Sequence, residues 1–211
     1  MSSWRMADQS IPLFPLNTVL FPGGLLPLQI FEVRYLDMVN KCIANGTPFG
    51  VVLLTHGHEV RRPDVEENIA QVGTLASITE WHAPQTGLLQ IRCTGTTRFR
   101  IDASERLKHG LWMASVTLLD NDRVVAVPDE LKNTATALGN LLASLRNEGV
   151  ADDEMPVTLP YRLEECGWVA NRWCELLPIP APQKQRLLSL DNPLLRLELV
   201  QDILGEQGLL T

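Results

Sequence analysis

Short apolar runs separated by turn residues fill the first two-thirds of the chain, the pattern of a β-rich region. Residues 11–20 read as a strand, stopped by the turn-forming Phe21-Pro22-Gly23-Gly24. Residues 49–54 are a continuous apolar run of strand length, which predicts a strand buried on both faces. The polar stretch 55–68 contains Gly57 and Pro63 and predicts an exposed loop. Residues 72–81 and 88–93 flank Ala83-Pro84-Gln85-Thr86-Gly87, a connection of hairpin length. Residues 97–101 and 112–118 complete the set. Many short strands with regular turns suggest a barrel or a sandwich.

One helix interrupts this region. Tyr35, Met38, Val39, Cys42 and Ile43 recur at helical spacing and share one face. Glu32 falls in the expected first turn, where a carboxylate suits the helix dipole. Asn45-Gly46 supplies the stop, because both residues tolerate a left-handed cap. After about residue 125 the period becomes helical throughout. Pro128 suits a first helical position, and Leu131, Ala135, Leu138, Leu142 and Leu145 follow at spacings of three and four. The acidic stretch 147–160, broken by Gly149, Pro156 and Pro160, reads as a connection. Further helices are expected over 163–177 and from near Pro182 and Pro193, the last with Asp191 or Asn192 as N-cap. The expected organisation is a β-rich domain over residues 1–122 and an α-helical domain over 123–211.

Composition narrows the function classes. The 211 residues are 45% hydrophobic and 20% charged, values of an ordinary globular protein. No apolar run approaches the ~20 residues needed to cross a bilayer. Residues 1–9 lack the apolar core of a secretion signal, so a cytoplasmic protein without membrane partners is expected. The net charge of −7 is uneven. Residues 1–120 hold ten basic and eleven acidic side chains, whereas 121–211 hold eight and fourteen. This balance counts against nucleic acid as a partner, since phosphate binding draws on clustered Lys and Arg. Cys42, Cys93, Cys166 and Cys174 form no C-x-x-C pair and are expected to be buried thiols.

Few residues suggest chemistry. His56-Gly57-His58 lies beside Glu59, with Asp64 and Glu66 as possible third ligands, yet a polar surface loop accounts for the same residues. Glu80 and His82 can share a strand face as an acid–base pair, but they run into the hairpin turn. There is no G-x-S-x-G elbow, and Asp152-Asp153-Glu154 reads as a solvated acidic loop. Neither a catalytic site, a metal nor a cofactor is expected.

Ile11-Pro12-Leu13-Phe14-Pro15-Leu16, then Val19-Leu20-Phe21-Pro22-Gly23, Pro27-Leu28-Gln29-Ile30-Phe31-Glu32 and Arg34-Tyr35, resemble the start of the Lon protease substrate-binding domain. Phe49-Gly50-Val51-Val52, Val72-Gly73-Thr74-Leu75-Ala76 and Gly95-Thr96-Thr97-Arg98-Phe99-Arg100-Ile101 continue it in order. Lys184-Gln185-Arg186-Leu187-Leu188 and Arg196-Leu197 look like the family's closing helices. The likeness departs at Val33, where many relatives carry proline, and fades across 120–160.

The resemblance implies an α+β fold, with a PUA-like β pseudo-barrel, an inserted helix and a C-terminal α-helical bundle. It also implies a non-enzymatic module that binds unfolded or extended polypeptide, as an adaptor in protein quality control. The G-x-x-x-x-G-K-[ST] loop of an ATPase is absent, so the chain is expected to stand apart from catalytic machinery. Leu25, Leu26 and Leu28 are the candidate apolar strip for such a ligand, with Trp81, near a turn, as a further contact. Because PUA-like folds include RNA binders, the alternative is an RNA site on a basic strand around Arg98 and Arg100, near Arg92, Arg106 and Lys108. Pairing with Asp102 or Glu105 is the competing use of those arginines. Oligomeric state is not legible.

Overall fold

Two prolines sit inside the first strand, β1 (Gln9–Leu16), and its pairing explains how they are tolerated. Gln9 to Leu13 pair antiparallel with the last strand, whereas Leu13 to Leu16 pair parallel with a different one. On either side of Leu13 the strand therefore has one ladder partner, so Pro12 and Pro15 occupy edge-like positions where a missing N–H is harmless. The structure, a computed structural model, describes residues 9–59 and 66–210. The N-terminal segment read for a secretion signal, part of the expected 55–68 loop and the possible ligand Asp64 lie outside those residues.

After β1 come β2 (Leu25–Ile30), α1 (Val33–Asn45), β3 (Phe49–His56), β4 (Asn68–Gln85), β5 (Leu88–Arg106) and β6 (Trp112–Leu118). The strand order is β2-β5-β4-β3-β1-β6, and β6 also pairs with β5. Five strands thus close into a ring, with β2 added alongside the first half of β5.

Two apolar clusters fill the two faces of this sheet. Leu13, Val52, Leu75, Phe99 and Val116 belong to one; Phe14, Phe49, Val51, Ala76 and Ile91 belong to the other, together with Tyr35, Met38 and Val39 of α1. Val51 and Val52 therefore face opposite cores, which is why β3 reads as an unbroken apolar run. The face predicted for α1 is buried, apart from a partly buried Ile43. Gly46 ends the helix at φ 63°, and the Thr47 N–H donates to the Cys42 carbonyl at 3.0 Å.

Several boundaries differ from the sequence reading, most visibly in β1 and β5. β1 stops at Leu16 rather than residue 20, because the segment after it leaves the ladder and Thr74 Oγ1 donates to the Leu20 carbonyl at 2.6 Å. The runs expected as separate strands at 88–93 and 97–101 are one strand, β5. Gly95 between them makes no turn. It receives one: Gly23 N–H donates to the Gly95 carbonyl (2.7 Å), and Gly95 N–H donates to the Gly24 carbonyl (2.8 Å). A Cβ at position 95 would collide with the Phe21 carbonyl oxygen.

A second compact unit begins at Asn121. It contains a one-turn 3-10 helix at Asp129–Leu131, then α2 (Lys132–Asn147), α3 (Cys166–Leu176), α4 (Ala181–Leu188) and α5 (Pro193–Glu206). Asn192 caps α5 by accepting from the Leu194 and Leu195 N–H groups, with Pro193 at the first helical position. The buried Arg196 ties the unit together through Asp122, Asn171 and the Leu187 carbonyl. Among the described residues, no helix is long and apolar enough to cross a membrane.

Replacing Gly95 with alanine is expected to destabilise the chain by about 2–3 kcal/mol, since the new methyl group meets backbone that cannot yield. Gly205→Ala, in open space on α5, should be neutral or stabilising by up to about 1 kcal/mol. Denaturant midpoints compare the two; equal shifts would refute the close-contact account.

Candidate functional site

Because β2 alternates, Ile30 points into the core and the next residue, Phe31, is left outside with 58% of its surface exposed. Val33, the first residue of α1, is 72% exposed. The two stand at one side of a groove of about 810 Å³ in the first unit. Met38 and Cys42, both buried, provide its floor, and the exposed Asp37 and Lys41 lie one helical turn apart on its lip. Leu107, His109, Leu111 and Met113, from the β5–β6 connection and β6, form the opposite wall.

Arg34 joins the two walls. Its Nε donates to Glu32 Oε2 at 3.0 Å, one terminal nitrogen donates to the Gly110 carbonyl at 2.7 Å, and the other reaches the Glu59 carbonyl at 3.4 Å. The guanidinium lies 4.5 Å from the centre of the Tyr35 ring, which itself stacks on Phe14 at 4.0 Å. Burial pushes the Tyr35 phenol well above its ordinary value. Glu67, also buried, accepts from Arg106 and from Trp112 Nε1, each at 3.1 Å. These bonds hold the groove's walls without filling it.

The apolar strip expected at 25–28 does not exist as a continuous surface. Strand alternation puts Leu26 and Leu28 on one face of β2 and Leu25 on the other. Leu26 is buried in the core, Leu28 packs half-buried against it, and Leu25 is half-buried on the far face. Trp81 is 58% exposed and pairs with Ile91, which pairs in turn with Leu28. Leu28 and Trp81 thus share a sheet face about 10 Å apart, two strand spacings. In the sequence Phe31 falls within the signature and Val33 departs from it, but neither was named as a ligand contact. The available signal was a large apolar residue directly after the inward-facing Ile30.

The other candidates are scattered. His56, His58 and Glu59 are exposed, and no group of three or more His, Cys, Asp or Glu among the described residues is placed to hold a metal ion. Glu80 faces Arg92 at 3.8 Å. Arg98 is only 4% exposed and cannot present a guanidinium to phosphate, while Arg100 lies 3.9 Å from Asp102. All four cysteines are buried and free; burial raises the Cys93 and Cys174 thiols to about 12.

Arg34→Met should lower stability by about 2–3 kcal/mol, because it strands Glu32 and the Gly110 carbonyl. A urea titration checks this, and an unchanged midpoint would contradict it. At pH 8, Cys93 and Cys174 should resist alkylation until denaturant is added, as read by peptide mass spectrometry. A raised thiol pKa favours the neutral folded form. Its stabilisation is complete below the unfolded thiol's pKa, about 8.5, and is lost as pH climbs towards 12.

A family model, described as the ATP-dependent protease La (LON) substrate-binding domain, matches residues 10–206. The Lon protease of Paraburkholderia phytofirmans is 29% identical over 206 residues, which are 95% of this chain and 25% of that protein. The chain spans about a quarter of the length of the curated Lon proteases it matches. The crystal structure of a Lon N-terminal domain protein from Xanthomonas campestris is 32% identical, with a TM-score of 0.73 over 92% of this chain and 98% of that one. The N-terminal domain of Mycobacterium avium complex Lon protease shares the fold at 19% identity, with a TM-score of 0.61 over 94% and 99% of the respective chains. This mixed α+β chain belongs to the LON substrate-binding domain family.

Proposed function

We propose that the first unit binds extended polypeptide in the groove between α1 and the β5–β6 connection, as an adaptor in cytoplasmic protein quality control, without catalysis of its own. The observation that carries this reading is the pair Phe31 and Val33, held out in water beside an apolar groove. Neighbouring exposed apolar side chains at a concave surface mark a place of interaction. The family's description as a substrate-binding domain supports the same assignment. The five-strand ring supports describing the unit as a PUA-like pseudo-barrel, and the helices from residue 123 onward as a separate bundle domain. RNA is the less favoured ligand, since Arg98 is buried, and the half-buried Arg92 and exposed Arg100 lie beside Glu80 and Asp102.

The groove suits side chains of an extended segment better than a rigid partner. Its walls are mostly apolar, with His109 among them and the Glu32–Arg34 pair at one side, while its lip carries Asp37 and Lys41, available to polar groups of the bound chain. Trp81 is the outlying contact, reached only if the segment continues across the hairpin.

Fluorescence anisotropy with labelled peptides tiled over an unfolded test protein should give saturable binding. Phe31→Ala and Val33→Ser should each weaken it by about five- to tenfold, the worth of one lost apolar contact. Circular dichroism establishes that the variants remain folded. Absence of saturable binding across the whole peptide set would reject the assignment.

A further inference from the structure

Beyond Phe31 and Glu32 the groove leads to a second, smaller cleft of about 90 Å³, which those two residues also line. Its inner surface is aromatic and aliphatic, with Phe14, Tyr35 and Leu28. Its remaining polar side chains are Gln29, Glu32 and Glu59. The charges do not cancel. Arg34 directs its Nε to Glu32 Oε2, but it meets only the main-chain carbonyl of Glu59. The Glu59 carboxylate accepts from the Asn17 backbone N–H at 2.5 Å, and among the described residues no cation meets it. Two carboxylates therefore border a cleft that opens beside an exposed aromatic ring, and among the described residues only Glu32 of the two meets a guanidinium.

We propose that this cleft is a subsite for a basic side chain, lysine or arginine, of the polypeptide whose apolar residues occupy the groove. The inference rests on the groove reading and specifies the ligand further. A long basic side chain can lay its methylenes along Leu28 and the Phe31 ring and place its charged head between Glu59 and Glu32. An aliphatic side chain would leave both carboxylates facing an apolar group, and an acidic one would add a third negative charge. Discrimination comes from that penalty as much as from the attraction.

The test uses the full chain and three labelled decapeptides with a Phe-Leu-Val core, flanked on both sides by lysine, norleucine or glutamate. The lysine peptide should bind about fivefold more tightly than the norleucine peptide, the worth of a half-exposed charge-assisted contact. The glutamate peptide should bind most weakly. Glu59→Gln keeps an acceptor for Asn17 and removes the charge; it should abolish the lysine preference and leave norleucine-peptide affinity unchanged. Glu206→Gln, remote on α5, should leave the preference intact. Equal binding of all three peptides, or a preference that survives Glu59→Gln or falls equally in Glu206→Gln, overturns the subsite while the groove stands. Failure of all three to bind overturns the groove reading and the subsite with it.

Discussion

Gly95 accepts and donates one backbone hydrogen bond with the Gly23-Gly24 turn, at a separation that leaves no room for a side chain. Much of the first unit follows from that contact. The turn reverses the chain after β1 and delivers Leu25 opposite Thr94, which starts β2 in antiparallel register along β5. The register then decides that Leu26 and Ile30 face the core. With Ile30 buried at the strand's end, Phe31 has only solvent to enter, and α1 begins two residues later. The groove's exposed edge is thus a geometric consequence of a glycine docking event more than sixty residues away in sequence.

What keeps that edge from folding inward is polar. An apolar groove beside exposed Phe31 and Val33 would gain by closing, since burial of such side chains is favourable. Arg34 opposes closure by fixing α1 to Gly110 with hydrogen bonds of set length, and Glu32 neutralises the buried guanidinium. Behind it, Glu67 ties Arg106 at the end of β5 to Trp112 at the start of β6. Satisfied polar groups of this kind specify one spacing between the walls, where apolar contacts alone would accept several.

Most elements were legible in the sequence because each rests on a local signal. The period of Tyr35, Met38, Val39 and Cys42 marked α1, Asn45-Gly46 marked its end, and Asp191-Asn192 marked the start of α5, where Asn192 proves to be the cap. The long strand β5 was not legible. Thr94-Gly95-Thr96 looks like punctuation, but this glycine serves an approach by distant backbone, and no local pattern separates the two uses. The apolar strip expected at 25–28 fails as a continuous surface for a related reason. Leu25, Leu26 and Leu28 are adjacent in the sequence, yet alternation sends them to different faces and the core claims Leu26. Phe31 and Val33 gave only a weak signal, because exposure depends on where Ile30 lands, and a tertiary register sets that.

Charge distribution bears on how the proposed groove would select ligands. The acidic excess lies mostly after residue 120, and the unit that carries the groove is close to neutral. Long-range steering therefore contributes little, and the encounter relies on contact at the surface itself. Apolar burial is tolerant of sequence, which suits a module that meets many unfolded segments. Any preference must then come from charges placed within a few ångströms of the bound chain, where screening is weakest. In the proposed site, Asp37 and Lys41 on the lip, the Glu32–Arg34 pair, and Glu59 beyond Phe31 would be the charged residues so placed. A broad apolar floor with a few fixed charges at its margins can admit many chains and still rank them.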